Sequence, residues 1–175
     1  MTPEKDKELC EKYPEIFKDR YSPRRESCMS FGCDVGDGWF DLLDVLCGQV
    51  QHHVDHLFER QTYLVKSGQM KSEDVKSKEH FQVVAAQVKE KFGGLRFYVH
   101  GADPEVLGMI SMAESMSYRI CEQCGNPARS NNDGGWIHTL CSPCRSKYKE
   151  IQAKRWASVE AALKKDSGES QKAGE

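Results

Sequence analysis

Two Cys-x2-Cys pairs, Cys121/Cys124 and Cys141/Cys144, stand 16 residues apart, and no other feature of the chain limits its folding so tightly. A two-residue gap lets both thiolates of a pair approach one ion from a tight turn, and two pairs at this separation complete a four-cysteine site. Gly125, directly after Cys124, permits the positive φ that aims backbone N–H groups at the sulfurs. Between the pairs, Asn131 to Gly135 reads as a turn and Trp136 to Leu140 as a short strand. The segment is therefore expected to form a ribbon or a treble-clef-like knuckle followed by a helix. The expected ion is zinc, one per chain, and four thiolates leave it no open position, so its part is structural. The alternatives are a redox dithiol, which needs only one pair, and a rubredoxin-like iron site. His138 lies three residues before Cys141 and within reach of replacing a thiolate, but strand alternation favours the surface for it.

Thiols serve as ligands where they stay reduced. The first 17 residues are charged where a signal peptide is apolar, and no apolar run approaches the roughly 18 to 20 residues of a membrane span. An intracellular, cytoplasmic protein is expected, in which eight cysteines are metal ligands or small core residues. Cys10, Cys28, Cys33 and Cys47 have no paired spacing. Cys47 flanks an apolar helical stripe and reads as core filler, and the alternative is a second site built from Cys28, Cys33 and the histidines.

The 175 residues suit one domain with a small satellite, and 38% hydrophobic against 30% charged residues makes the core thin. Thr2-Pro3 opens a short helix carrying Leu9, with Ile16 and Phe17 beyond a break at Pro14. Tyr21 to Asp37 is an irregular loop, and Asp37 is placed to cap a long helix. Leu43, Leu46, Val50, Val54, Leu57 and Leu64 form its stripe, and Gly68 stops it. Val83 to Val88 and Leu95 to Val99 are strand-like runs joined by a turn at Gly93-Gly94. Asp103-Pro104 caps a second helix with Val106, Leu107, Ile110, Ala113 and Ser117 on one side. A last helix carries Tyr148, Ile151, Val159 and Leu163, and the tail from Asp166 lacks apolar bulk and is expected to be disordered. The fold class is thus α+β: a long amphipathic helix packed with a β-hairpin and a second helix, then a four-cysteine zinc ribbon or knuckle and a C-terminal helix. The expected division is a core at 1–118, a zinc module at 119–146, a basic helix at 147–165 and the tail at 166–175.

The blocks GDGWFDLL (Gly36 to Leu43), QVKEKFGGLRFY (Gln87 to Tyr98), Cys121 to Gly125, Gly135-Trp136 and Thr139 to Cys141 stand in an order and spacing that resemble a widespread family of small tailed-phage and prophage proteins. The likeness covers about residues 31 to 50 and 83 to 144. It implies zinc binding and a phage setting, with no established activity. The chain departs from that pattern from about Gln51 to His80 and after Cys144, where its particular business is expected to lie.

The remaining chemistry is weaker. Asp34, Asp37, Asp41 and Asp44 lack the ligand alternation of a calcium loop, and acids at a helix N-terminus are favoured by the dipole alone. Asp37, Asp41 and Asp44 with His52 remain the one candidate for a metal-dependent hydrolase or nuclease. His52 and His56 share a helical face turned away from Val50 and Val54, and neither they nor His53 fall in the His-Glu-x-x-His metalloprotease pattern. Lys89, Lys91 and Arg96 surround the hairpin turn beside Phe97 and Tyr98, where they are able to grip phosphate or simply face water. Charge is unevenly spread: residues 1 to 60 hold 8 Lys/Arg against 13 Asp/Glu, residues 145 to 165 hold 7 against 2, and the whole chain is −2. Lys154, Arg155 and Trp156 make the last helix the best partner-binding surface, for a host protein before nucleic acid. The expected function is non-enzymatic binding of a host macromolecule, such as inhibition of a host or defence protein, with nucleic-acid-binding transcriptional regulation as the alternative.

Overall fold

The computed structural model describes residues 1–133 and 135–169, in two compact units: Met1–Leu140 and the segment from Cys141 onward. The first unit begins with α1 (Pro3–Lys12), set by Pro3 at its first position; the Thr2 side chain makes no cap bond. Leu9, Ile16 and Phe17 are buried, and the Phe17 ring meets Phe97 edge-on at 6.4 Å.

The apolar stripe produces α2 (Phe40–Lys66), which buries Leu43, Leu46, Cys47, Val50 and Val54 along one side. Spacings of three and four put these side chains on one face. Asp37 does not cap this helix. It opens a short 3-10 turn, Asp37–Trp39, and its carboxylate accepts the Thr2 N–H at 2.6 Å, because the folded N-terminal segment brings a donor that local sequence does not reveal. At the other end Gly68 adopts φ +72, the left-handed conformation that ends helices. The buried Gln61 amide brackets Lys76, donating to its carbonyl at 3.0 Å and accepting its N–H at 2.7 Å. This pins the loop that leads to the single turn α3 (Lys78–Phe81).

β1 (Val84–Lys91) and β2 (Gly94–His100) form an antiparallel hairpin with a bulge between Ala85 and Gln87. Because Lys91 pairs with Gly94, the two turn residues are Phe92 (φ 56) and Gly93 (φ 77), not Gly93-Gly94. Gly94 has another duty: a Cβ there would lie 2.3 Å from the Tyr118 ring. A two-stranded sheet is marginal alone, and both its edges are covered. Asp34 N–H donates to Val88 O and Glu90 N–H to Asp34 O on the β1 side. On the β2 side, Leu95 N–H donates to Ser117 Oγ and Phe97 N–H to Glu114 Oε1.

Those side chains sit on α4 (Pro104–Ser117), whose first turn is capped by Asp103 accepting the Val106 N–H at 2.9 Å. Val106, Ile110, Ala113 and Ser117 are buried as the stripe predicts, whereas Leu107 is exposed. His53 of α2 is buried, not solvated, with Nε2 2.7 Å from Asp103 Oδ2 and Nδ1 3.5 Å from Glu105 Oε1. Burial raises the Asp103 carboxyl, but the bonds from Val106 N–H and His53 outweigh it and hold the group below its ordinary range.

His52 and His56 are exposed on the opposite side of α2. Replacing both with Gln should leave the melting temperature within a few degrees, since exposed changes stay within about 0.5 kcal/mol. Differential scanning calorimetry checks this, and a drop of ten degrees would place them in a structural site.

β3 (Arg129–Asp133) and β4 (Trp136–Leu140) form a second hairpin. It docks on the first through Thr139 Oγ1, which donates to Gly93 O at 2.6 Å. In the second unit, α5 (Ser142–Glu169) carries Ile151, Trp156, Val159 and Leu163 exposed, so the expected stripe is not a packed one. The helix runs into the segment expected to be disordered, and residues 170–175 lie outside the described residues.

Candidate metal centre

The ligand atoms of Cys121, Cys124, Cys141 and Cys144 all lie within 4.8 Å of one another. Four thiolates held about 2.3 Å from one tetrahedral ion stand about 3.8 Å apart, so the cluster is within about an ångström of a coordinating arrangement. All four donors are thiols, a soft set that suits a thiophilic ion and excludes calcium or magnesium. Among the described residues this is the one group of three or more candidate ligands, and His138 lies outside it.

Each pair is presented by a different local device. Cys121 is fully buried at the start of a tight turn in which Gly125 N–H donates to Cys121 O at 2.8 Å and Cys121 N–H to Asn126 O at 2.7 Å. Gly125 takes φ +76, as its place after the second cysteine predicts. Cys141 immediately precedes α5, with Arg145 N–H donating to Cys141 O at 2.9 Å, and Cys144 lies in the first helical turn.

The Cys121–Gly125 turn is held by the segment that opens α2, some 85 residues earlier in the chain. Gly38 N–H donates to Glu122 O at 2.7 Å, Gly36 N–H to Glu122 Oε1 at 3.2 Å, and the buried Trp39 Nε1–H to Ile120 O at 2.9 Å. From the other side Glu122 N–H donates to Thr139 O at 3.0 Å. Gly36, Gly38 and Trp39 lie at the entry to α2, and their partner there, the cysteine turn, has no local signature. The signal available was two glycines flanking an aspartate where neither a hairpin nor a helix C-terminus called for them. Beside this contact an open cleft of about 520 Å³ is lined by Asp34, Asp37, Glu90 and Glu122. Burial, then the Glu90 charge, pushes the Glu122 carboxyl up to about 6.

The other candidates disperse. Asp37 is committed to Thr2, and Asp44 takes Lys12 at 2.7 Å and the Tyr13 hydroxyl at 2.9 Å. The Lys12 bond, working against burial, holds the Asp44 carboxyl below its ordinary range. With Asp41 exposed, Asp37, Asp41, Asp44 and His52 do not converge into a candidate ligand group among the described residues. Cys28 is exposed and Cys33 is buried, and neither belongs to a candidate ligand group among the described residues. A hydrogen bond with the Cys10 thiol and burial both raise the Cys33 thiol, and burial raises Cys47, so Cys10, Cys33 and Cys47 are core thiols. Arg96 is half-buried and donates to the Tyr118 hydroxyl at 2.9 Å, while Lys89 lies over the Tyr98 ring. No family model, curated protein or solved structure matches the chain.

Proposed function

We propose that the chain is a zinc-stabilised, non-enzymatic binding protein of phage setting that works in the host cytoplasm by engaging a host protein. The four-thiol cluster carries this reading: its donors fill a tetrahedral ion's coordination, which suits a structural ion and leaves no position for a substrate. Zinc is the ion this donor set suits best, being tetrahedral, redox-inert and at home with thiolate. The phage setting rests on the likeness of the GDGWFDLL, VKEKFGGLRFY and Cys-x2-Cys blocks.

Trp156, 67% exposed behind Lys154 and Arg155, supports a protein partner. Exposed aromatics beside cations are what interface anchors are made of, and a helix face offering Trp156, Val159 and Leu163 to solvent has apolar area to bury. The test is capture of the partner from host lysate on immobilised full-length protein, followed by calorimetric titration of the purified pair. Trp156→Ala should weaken binding about 30-fold, the equivalent of about 2 kcal/mol. Unchanged affinity in that variant would remove α5 as the docking surface.

A further inference from the structure

We infer that the outer face of the β1–β2 hairpin binds single-stranded nucleic acid. This goes beyond the protein-binding reading and uses a different surface. Strand alternation turns Val88, Leu95 and Phe97 into the core and sends Lys89 and Lys91 of β1 and Arg96 and Tyr98 of β2 to the opposite face. The register sets Lys89 directly across from Arg96. Like charges so placed destabilise a hairpin unless something answers them.

Nothing in the fold does so fully. Among the described residues no ion pair reaches Lys89, Lys91 or Arg96. Glu90 accepts from Gly93 N–H and Glu114 from Phe97 N–H, and Asp34, paired with Lys89 through backbone atoms alone, sets one carboxylate beside the three cations at the edge of β1. Three cations are thus gathered on one small face of a chain whose net charge is −2, and the complement of that face is an anion.

Aromatic rings decide which anion. Lys89 Nζ lies 5.5 Å from the Tyr98 centroid, Lys91 Nζ 5.3 Å from that of Phe92, and the Arg96 guanidinium carbon 6.0 Å from that of Tyr118. Cation and ring therefore alternate across the face. Arg96 is fixed by its bonds to the Tyr118 hydroxyl and to Leu95 O, so little freedom is lost when it meets a phosphate. Tyr98 is 44% and Phe92 63% exposed, enough open ring for a base to stack. A duplex hides its base faces, and an acidic peptide offers no ring to Tyr98 or Phe92. A single strand supplies both phosphates and bare bases.

Fluorescence anisotropy of the full chain with labelled oligo-dT and oligo-rU tests this. Affinity should fall with salt on a log–log slope of about −0.7 per phosphate contacted. Lys89→Gln with Lys91→Gln should weaken binding tenfold or more and flatten the slope by about 1.4, two phosphates' worth. Tyr98→Ala should weaken binding at least fivefold with the slope unchanged, and Tyr98→Phe should restore it, which separates stacking from loss of fold. Lys7→Gln with Lys71→Gln, exposed cations on α1 and in the loop after α2, should change neither. The inference is overturned by absence of binding at low salt, by a duplex or poly-glutamate binding as tightly as the single strand, or by hairpin variants that bind like the parent.

Discussion

Protein purified without added metal should carry about one equivalent of zinc, and removing that ion should open the Cys121–Leu140 segment before the rest of the first unit. A structural zinc contributes on the order of 10 to 16 kcal/mol of apparent binding energy in small peptides, comparable with the entire stability of about 5 to 15 kcal/mol of an ordinary domain. Without it, few apolar contacts hold the turn. Cys121 and Leu140 are buried, but neither belongs to the apolar cluster formed by Leu43, Val50, Val88, Leu95, Phe97 and Ile110. Trp39 reports the event, because its indole N–H bonds Ile120 O and the ring is wholly buried, whereas Trp136 and Trp156 are exposed. With Trp136→Phe and Trp156→Phe as background, chelation should shift Trp39 emission to the red. Loss of even about 4 kcal/mol should lower Tm by roughly 8–16 °C. Cys141→Ser should show the same emission and Tm with less than about half an equivalent of zinc. A metal-free protein with unaltered Trp39 emission and Tm, or a Cys141→Ser variant that keeps its full equivalent, would refute the assignment.

How legible all this is in the sequence depends on whether the determinant is local. The α2 stripe, the Asp103-Pro104 start of α4 and the Cys-x2-Cys turns each depend on residues a few positions apart, and each stands where its pattern places it. The hairpin is legible in its strands but not in its turn. Gly94 lies inside the pairing because the Tyr118 ring, contributed by the end of α4, leaves no room for a Cβ, and the positive φ then falls on Phe92. Asp37 has the right identity and position for a cap, yet the Thr2 N–H claims its carboxylate. His53 shares a segment with the solvated His52 and His56 but is buried against Asp103 and Glu105, acids 50 and 52 residues later in the chain. Cys47 is legible as a core residue from its place beside the α2 stripe, whereas nothing in their spacing sets the buried Cys10 and Cys33 apart from the exposed Cys28. In the candidate site itself, the four ligands are written in the sequence, and the support beneath them is not.

That support gives the second large effect: Gly38→Ala should destabilise the protein by about 3 kcal/mol or more and loosen its hold on the ion. A Cβ at position 38 would lie 2.1 Å from Cys121 O, 2.4 Å from Gly125 N and 2.6 Å from Cys124 N. All three are backbone atoms of the cysteine turn, so no side chain is able to swing aside, and either the turn or the start of α2 must move. Moving the turn displaces Cys121 and Cys124 from the positions that bring their sulfurs within reach of Cys141 and Cys144. Moving α2 breaks the Gly38–Glu122 and Trp39–Ile120 bonds and lifts Trp39 from the core. Gly36→Ala meets Glu122 O at 2.2 Å and should act in the same direction. Gly108, inside α4, has nothing within 4 Å of its hypothetical Cβ, so Gly108→Ala isolates the general effect of the substitution. It should raise stability by about 0.5–1 kcal/mol through helix propensity and a less flexible unfolded chain, with zinc affinity unaltered. Gly38→Ala gains no helix propensity outside α2, and at contacts this short the clash exceeds any saving in unfolded-chain entropy. Urea unfolding of the zinc-loaded proteins, with chelator competition for the ion, reads both quantities. A Gly38→Ala protein as stable as the parent, with undiminished zinc affinity, would show that the Gly36–Trp39 segment does not buttress the cysteine turn.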